Sequence, residues 1–160
     1  MSQEGDGAGP GREAVRSLVD YYRRAAERMR ALPVYNAALA VEAIGFRAHD
    51  GRQVGVIVTP WFMNLVALPT TEDQAGWQKG RSTRLAFPSG RYDFVVSEAG
   101  ENGLIATCSL FPLMHDFADQ ASARDAAAAA VTALMQPEPP AEPPAPKAAP
   151  QLSRRKFLGG

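Results

Sequence analysis

The spacing of apolar positions changes along this chain, and each change marks a different kind of element. From Arg12 onward Val15, Leu18, Val19, Tyr22, Ala25, Ala26 and Met29 recur at helical steps with Arg and Glu between them. That spacing predicts an amphipathic helix, which Pro33 stops. From Leu39 to His49 the period shortens, with Ile44, Phe46 and Ala48 predicted on one side of a strand, and Asp50-Gly51 marks a tight hairpin.

Gln53 to Pro69, QVGVIVTPWFMNLVALP, is the most apolar stretch and carries no charge. It is too short to cross a bilayer as one helix, and Pro60 interrupts it, so it reads as two core strands joined at a bend. Val54, Val56 and Val58 share one face and Ile57 the other; Met63, Leu65 and Ala67 oppose Asn64, Val66 and Leu68. Strands apolar on both faces require cover on both sides. The bend Thr59-Pro60-Trp61-Phe62 places two large aromatics where cover is partial, which makes it a candidate contact surface.

Thr70 to Gly80 reads as a polar loop, with Trp77 plugging the side of the core. Strand periodicity returns in Thr83, Leu85 and Phe87, turns at Pro88-Ser89-Gly90, and continues in Tyr92, Phe94 and Val96. Asn102-Gly103 predicts a further hairpin before Leu104, Ala106, Cys108 and Leu110. After Met114 the period is helical again: Asp116 suits a short turn, and Ser122 with Asp125 resembles a capping box for an alanine-rich helix ending near Met135. Val131, Leu134 and Met135 are expected to dock on the sheet.

The pattern therefore predicts an α+β fold: an N-terminal helix, a mainly antiparallel sheet of about six strands, C-terminal helical cover and a disordered proline-rich tail. Residues 1–11 are expected to be disordered, 12–136 to form the domain, 137–151 a linker and 152–160 a basic tail. The linker holds seven prolines in fifteen residues and suits a semi-rigid spacer.

Charge narrows the partners. Seventeen basic residues balance seventeen acidic ones, so no global field favours nucleic acid or an anionic membrane. The arginines at 16, 23, 24, 28 and 30 read as a solvated helix face or as a contact for an acidic partner. One cysteine, Cys108, excludes an internal disulfide or a cysteine-rich metal site and reads as a small buried residue. No targeting or spanning segment is evident, which leads us to expect a cytoplasmic protein without stable membrane insertion.

Catalytic chemistry has no local support. There is no GxGxxG, P-loop, GxSxG or HExxH motif, so no catalytic residue, cofactor or metal site is assigned. His49 reads as exposed filler beside a hairpin. His115, ahead of Asp116, stands where a general base would sit but reads as structural or exposed. Asp93, Glu98 and Glu101 lie on or beside a hairpin. By elimination a binding module outranks an enzyme.

GVIVTPWFMNLVALP, followed by FPSG and later by SLFPLMHDFADQASARDAA, resembles the nickel-iron hydrogenase assembly chaperone family called HybE or HupJ. The resemblance covers Val15 to Met135. It implies an α+β chaperone without catalytic residues that binds hydrogenase precursors: the small subunit bearing a twin-arginine export signal, and possibly the large subunit. Some relatives add a rubredoxin domain, which needs four cysteines; this sequence has one, so it resembles only the chaperone part. Thr59, Pro60, Trp61, Phe62, Met63 and Asn64 match the family's most distinctive motif and are the candidate partner-binding residues. Trp61 and Phe62 suit contact best, while Asn64 suits either contact or a buried backbone group. Asp93, Glu98 or Glu101 would serve client arginines if they lay near the bend.

The tail motif Ser153, Arg154, Arg155, Phe157 and Leu158 resembles the twin-arginine pattern S-R-R-x-F-L at the wrong end of the chain. No apolar segment follows it, so it reads as a mimic able to occupy a client groove, or as a tail for another partner. Other readings remain: a small-ligand or enzymatic α+β domain using the Trp61–Asn64 bend with His115, or a proline-rich arm that docks an SH3-like domain. Oligomeric state is left open.

Overall fold

Helix α1 runs from Pro10 to Met29 in the computed structural model, which describes residues 10–137. It starts at Pro10 rather than at Arg12, so residues 10 and 11 belong to the helix. Proline suits a first helical turn because the N–H it lacks would have no intrahelical partner there. Leu18, Tyr22 and Ala25 form the buried stripe, with Arg23, Arg24 and Arg28 exposed.

Six strands follow: β1 (Glu42–His49), β2 (Arg52–Val58), β3 (Met63–Leu68), β4 (Ser82–Phe87), β5 (Gly90–Glu98) and β6 (Leu104–Phe111), with helix α2 (Thr71–Gly76) between β3 and β4 and helix α3 (Gln120–Leu134) last. Their order in the sheet is β1-β2-β3-β6-β5-β4. Every neighbouring pair is antiparallel, so two meanders meet where β3 pairs with β6, Leu65 opposite Cys108. The β1–β2 hairpin closes with Asp50 at φ 52° and Gly51 at φ 79°, the left-handed pair that a two-residue turn demands. The β5–β6 connection is longer than a tight hairpin and holds a 3-10 turn, Gly100–Asn102.

The sheet is covered on both faces. Val54, Val56, Val58, Leu65, Ala67, Phe94 and Ala106 pack against Ala123, Ala127, Val131 and Leu134 of α3. Ile57, Val66, Leu68 and Ile105 pack against Leu18 and Tyr22 of α1. Fully burying such an aliphatic or aromatic side chain contributes about 1.5–3 kcal/mol, which is why both faces of β2 and β3 demand a helix. Trp77 packs half-buried at the side of the α3 core. Cys108 lies beside that core, and burial, aided by the Asp93 charge, pushes its thiol up to about 11.

Four local expectations are corrected. Ile44 and Phe46 do not share a face: a bulge between Ile44 and Arg47, with Gly45 at φ 71°, sends Ile44 to the α3 side and Phe46 to the α1 side. Phe46 then lies so close over Gly55 that a β-carbon there would sit 2.5 Å from its ring. Thr71–Gly76 is a helix, not loop, because Thr70 and Asp73 form a reciprocal capping box. The α3 cap is Asp119, whose Oδ1 accepts from the Ser122 N–H at 2.9 Å, not Ser122 itself.

His49 is the fourth. Its ring stacks on Phe87 at 5.1 Å, and its Nε2 lies 3.1 Å from the Ala86 carbonyl oxygen. Since β1 and β4 are the two edges of the sheet, this contact shows that the sheet curls until its edges touch, with α3 on the inside of the curl. No helix among the described residues is long and apolar enough to cross a membrane. The proline-rich linker beyond Pro137 and the 152–160 tail lie outside the described residues.

Candidate functional site

The bend between β2 and β3 is built around one hydroxyl. Thr59 is fully buried; its Oγ1 accepts from the Phe62 N–H at 2.9 Å and the Trp61 N–H at 3.2 Å, and donates to the Phe62 carbonyl at 3.0 Å. The Thr59 N–H donates to the same carbonyl at 2.9 Å. A threonine hydroxyl has one proton and two lone pairs, and all are used here.

This arrangement turns Trp61 and Phe62 onto the α1 side, half-buried. Trp61 stacks with Tyr35 (centroids 6.3 Å apart) and meets Phe62 edge-on at 5.5 Å; Phe62 in turn meets Tyr22 at 5.6 Å. Burial, with the neighbouring Tyr21, pushes the Tyr22 hydroxyl up to about 12, so it stays neutral as an aromatic wall. The rest of the hexapeptide is structural in position: Pro60 and Met63 are buried, and half-buried Asn64 sits opposite Ile57 on β2 and Ser109 on β6.

Asn36, which no sequence pattern singled out, joins three segments at this end of the sheet. Its N–H donates to the Pro60 carbonyl at 2.8 Å, and its side-chain amide donates to the carbonyls of Met114 and Phe117, each at 2.9 Å. His115 adds a further tie, its Nε2 lying 2.9 Å from the Pro33 carbonyl oxygen. The Thr59–Asn64 stretch and the SLFPLMHDF stretch, distant in sequence, thereby share one site. Met63 pairs directly with Phe111, whose ring meets Phe117 at 5.2 Å.

The surface so formed is apolar. Leu32, Phe111 and Leu113 are 46%, 39% and 62% exposed, and they stand on the segments that Asn36 and His115 tie to the bend carrying half-buried Trp61 and Phe62. The proposed acidic set is not assembled there. Glu98 pairs with Lys79 and lies, with Glu101, at the opposite end of β6 from Phe111; Asp93 pairs with Arg84 at 2.9 Å on β5. The exposed carboxylate near the aromatic bend is Asp116, which makes no ion pair among the described residues. Glu42, at the start of β1, is engaged: burial would raise its pKa, but hydrogen bonds from Gln120 and Arg124 outweigh that and hold it low. No group of three or more His, Cys, Asp or Glu suited to a metal ion occurs among the described residues.

The sequence profile of the family described as "[NiFe]-hydrogenase assembly, chaperone, HybE" matches residues 13–160. The chain belongs to the HybE family. A HupJ protein of Bradyrhizobium diazoefficiens, described as a hydrogenase expression/formation protein, is 47% identical over 146 residues, which span 89% of this chain and 85% of that one. A probable rubredoxin HupJ of Rhodobacter capsulatus is 46% identical over 116 residues; the match spans 72% of this chain but 42% of the longer relative. The solution structure of HybE from Escherichia coli aligns over 75% of this chain and 76% of its own, at TM-score 0.48 and 22% identity.

As a HybE-family member the chain belongs to the [NiFe]-hydrogenase assembly chaperones. In this HybE-family chain the distinctive hexapeptide does two jobs in space. Thr59, Pro60 and Met63 hold the bend, while Trp61 and Phe62 reach the surface.

Proposed function

We propose that the chain is a non-catalytic cytoplasmic chaperone that holds a nickel-iron hydrogenase precursor at its exposed aromatic end, with the small subunit and its twin-arginine leader as the main client. The observation that supports this reading is the exposure of Leu32, Phe111 and Leu113 on the segments that Asn36 and His115 tie to the Trp61–Phe62 bend. Aromatic anchors set in a partly buried surface bind apolar segments reversibly, and such side chains dominate interface energetics. An export leader, which pairs arginines with an apolar run, suits such a surface with Asp116 at its margin. The six residues Thr59 to Asn64 then divide into those that shape the site and those that touch the client.

The test is a calorimetric titration of small-subunit precursor, with and without its leader, into the full chain. Leader-dependent binding that weakens about tenfold in Leu113→Ser, equivalent to about 1.4 kcal/mol, is the expected result. Leu113 is mostly exposed, so this variant leaves the fold intact. Equal binding of the leaderless subunit would move the contact to the mature protein, and undiminished binding by Leu113→Ser would remove the aromatic end from the mechanism.

A further inference from the structure

We infer that residues 152–160 of the chain itself dock on this aromatic end in cis and mask it until a client displaces them. The inference rests on the proposed client site and adds its regulation. The segment reads Leu-Ser-Arg-Arg-Lys-Phe-Leu-Gly-Gly, so an arginine pair stands just ahead of an aromatic and an aliphatic residue. The family match continues through residue 160, which makes this segment part of the matched pattern.

The surface complements it. Phe157 and Leu158 suit the exposed Leu113 and Phe111, and Arg154 or Arg155 suits Asp116, a carboxylate on the same loop with no ion-pair partner among the described residues.

Reach is sufficient. Helix α3 starts beside the site, where the Gln120 side chain bonds the Ala40 backbone, and ends at Leu134, whose carbonyl meets the Ser89 N–H at 3.2 Å. Its 15 residues separate the tail's origin from the site by about 22 Å, at about 1.5 Å per residue. Sixteen residues lie between Gln136 and Ser153, and an extended polyproline chain of that length can span roughly 50 Å at about 3.1 Å per residue, more than twice that distance. A tail held at an effective concentration of ~1 mM, with an intrinsic Kd of ~0.3 mM, covers the site about three-quarters of the time. It then weakens apparent client affinity about fourfold.

The experiment compares hydrogen exchange in the full-length chain and in full-length Arg154→Ala/Arg155→Ala/Phe157→Ala, followed by titration of a small-subunit leader peptide into each. Faster exchange in the variant, confined to residues 30–36, 59–62 and 111–117 and independent of protein concentration, with leader affinity about fourfold tighter, is expected. Identical exchange overturns tail docking, and leader binding to both forms would then leave the chaperone site standing. A concentration-dependent difference places the tail on a second copy and overturns the cis arrangement. A difference in exchange with no leader binding to either form keeps the tail on the site and refutes the leader as client.

Discussion

Thr59→Val replaces a hydroxyl with a methyl at nearly constant volume, so it isolates the hydrogen bonds of the bend. The Trp61 and Phe62 N–H groups lose their acceptor, and the Phe62 carbonyl loses one of its two donors. An unsatisfied buried donor costs about 1–3 kcal/mol; both groups here are only partly buried, which puts each near the lower end and the total at about 2–4 kcal/mol. Thr59→Ser keeps the hydroxyl and removes one buried methyl, costing about 1 kcal/mol. Urea unfolding of the wild type and both variants measures these values as shifts in midpoint at constant slope. The order is the discriminating result: hydrogen bonding makes valine worse than serine, whereas a purely apolar account of this buried site makes it better. A valine variant as stable as the serine variant refutes the role assigned to the hydroxyl.

Gly55→Ala should destabilise the fold by about 1–3 kcal/mol in the same assay, because the new methyl meets both the Phe46 ring and its α-carbon, 2.8 Å away, and backbone cannot yield as a side chain does. Asp73 supplies a pH test. Burial would raise its pKa, but hydrogen bonds from Arg52 and Thr70 prevail and hold the carboxyl below its ordinary value of 3.8. A carboxyl with a depressed folded pKa contributes stability that is fully present above its unfolded value and lost as pH falls through the folded one. Wild-type stability should therefore fall with acidification below about pH 4, and Asp73→Asn should be weaker at neutral pH with a flatter acid limb; an unchanged limb in urea titrations across that window would contradict the pairing.

Much of the architecture was legible because local rules and global burial agree. The apolar stripe from Val15 to Met29, the alternation in Val54–Val58 and the Asp50-Gly51 turn each allowed one local structure, and that structure is the one present. Where reading failed, a residue had a second role. Gly45 looks like an interruption in a strand but shifts its phase, so the apolar pattern beyond it flips face. Thr70 and Asp73 look like loop residues but satisfy each other's backbone as a helix start. His49 looked solvated because its partners, Ala86 and Phe87, belong to the opposite edge of the sheet.

The candidate site divides along the same line. Sequence by itself determined the elements, the need for two covering helices, the partial exposure of Trp61 and Phe62, and, through the resemblance carried by TPWFMN and SLFPLM, the family. Only the tertiary structure decided that these motifs meet, that Asn36 binds them together, and that Glu98 and Glu101 lie at the far end. Hydrophobic periodicity reports which face of each element is buried. It does not report which strand lies beside which, and here the β3–β6 pairing, made through space between two separate meanders, brings Met63 to Phe111 and creates the surface.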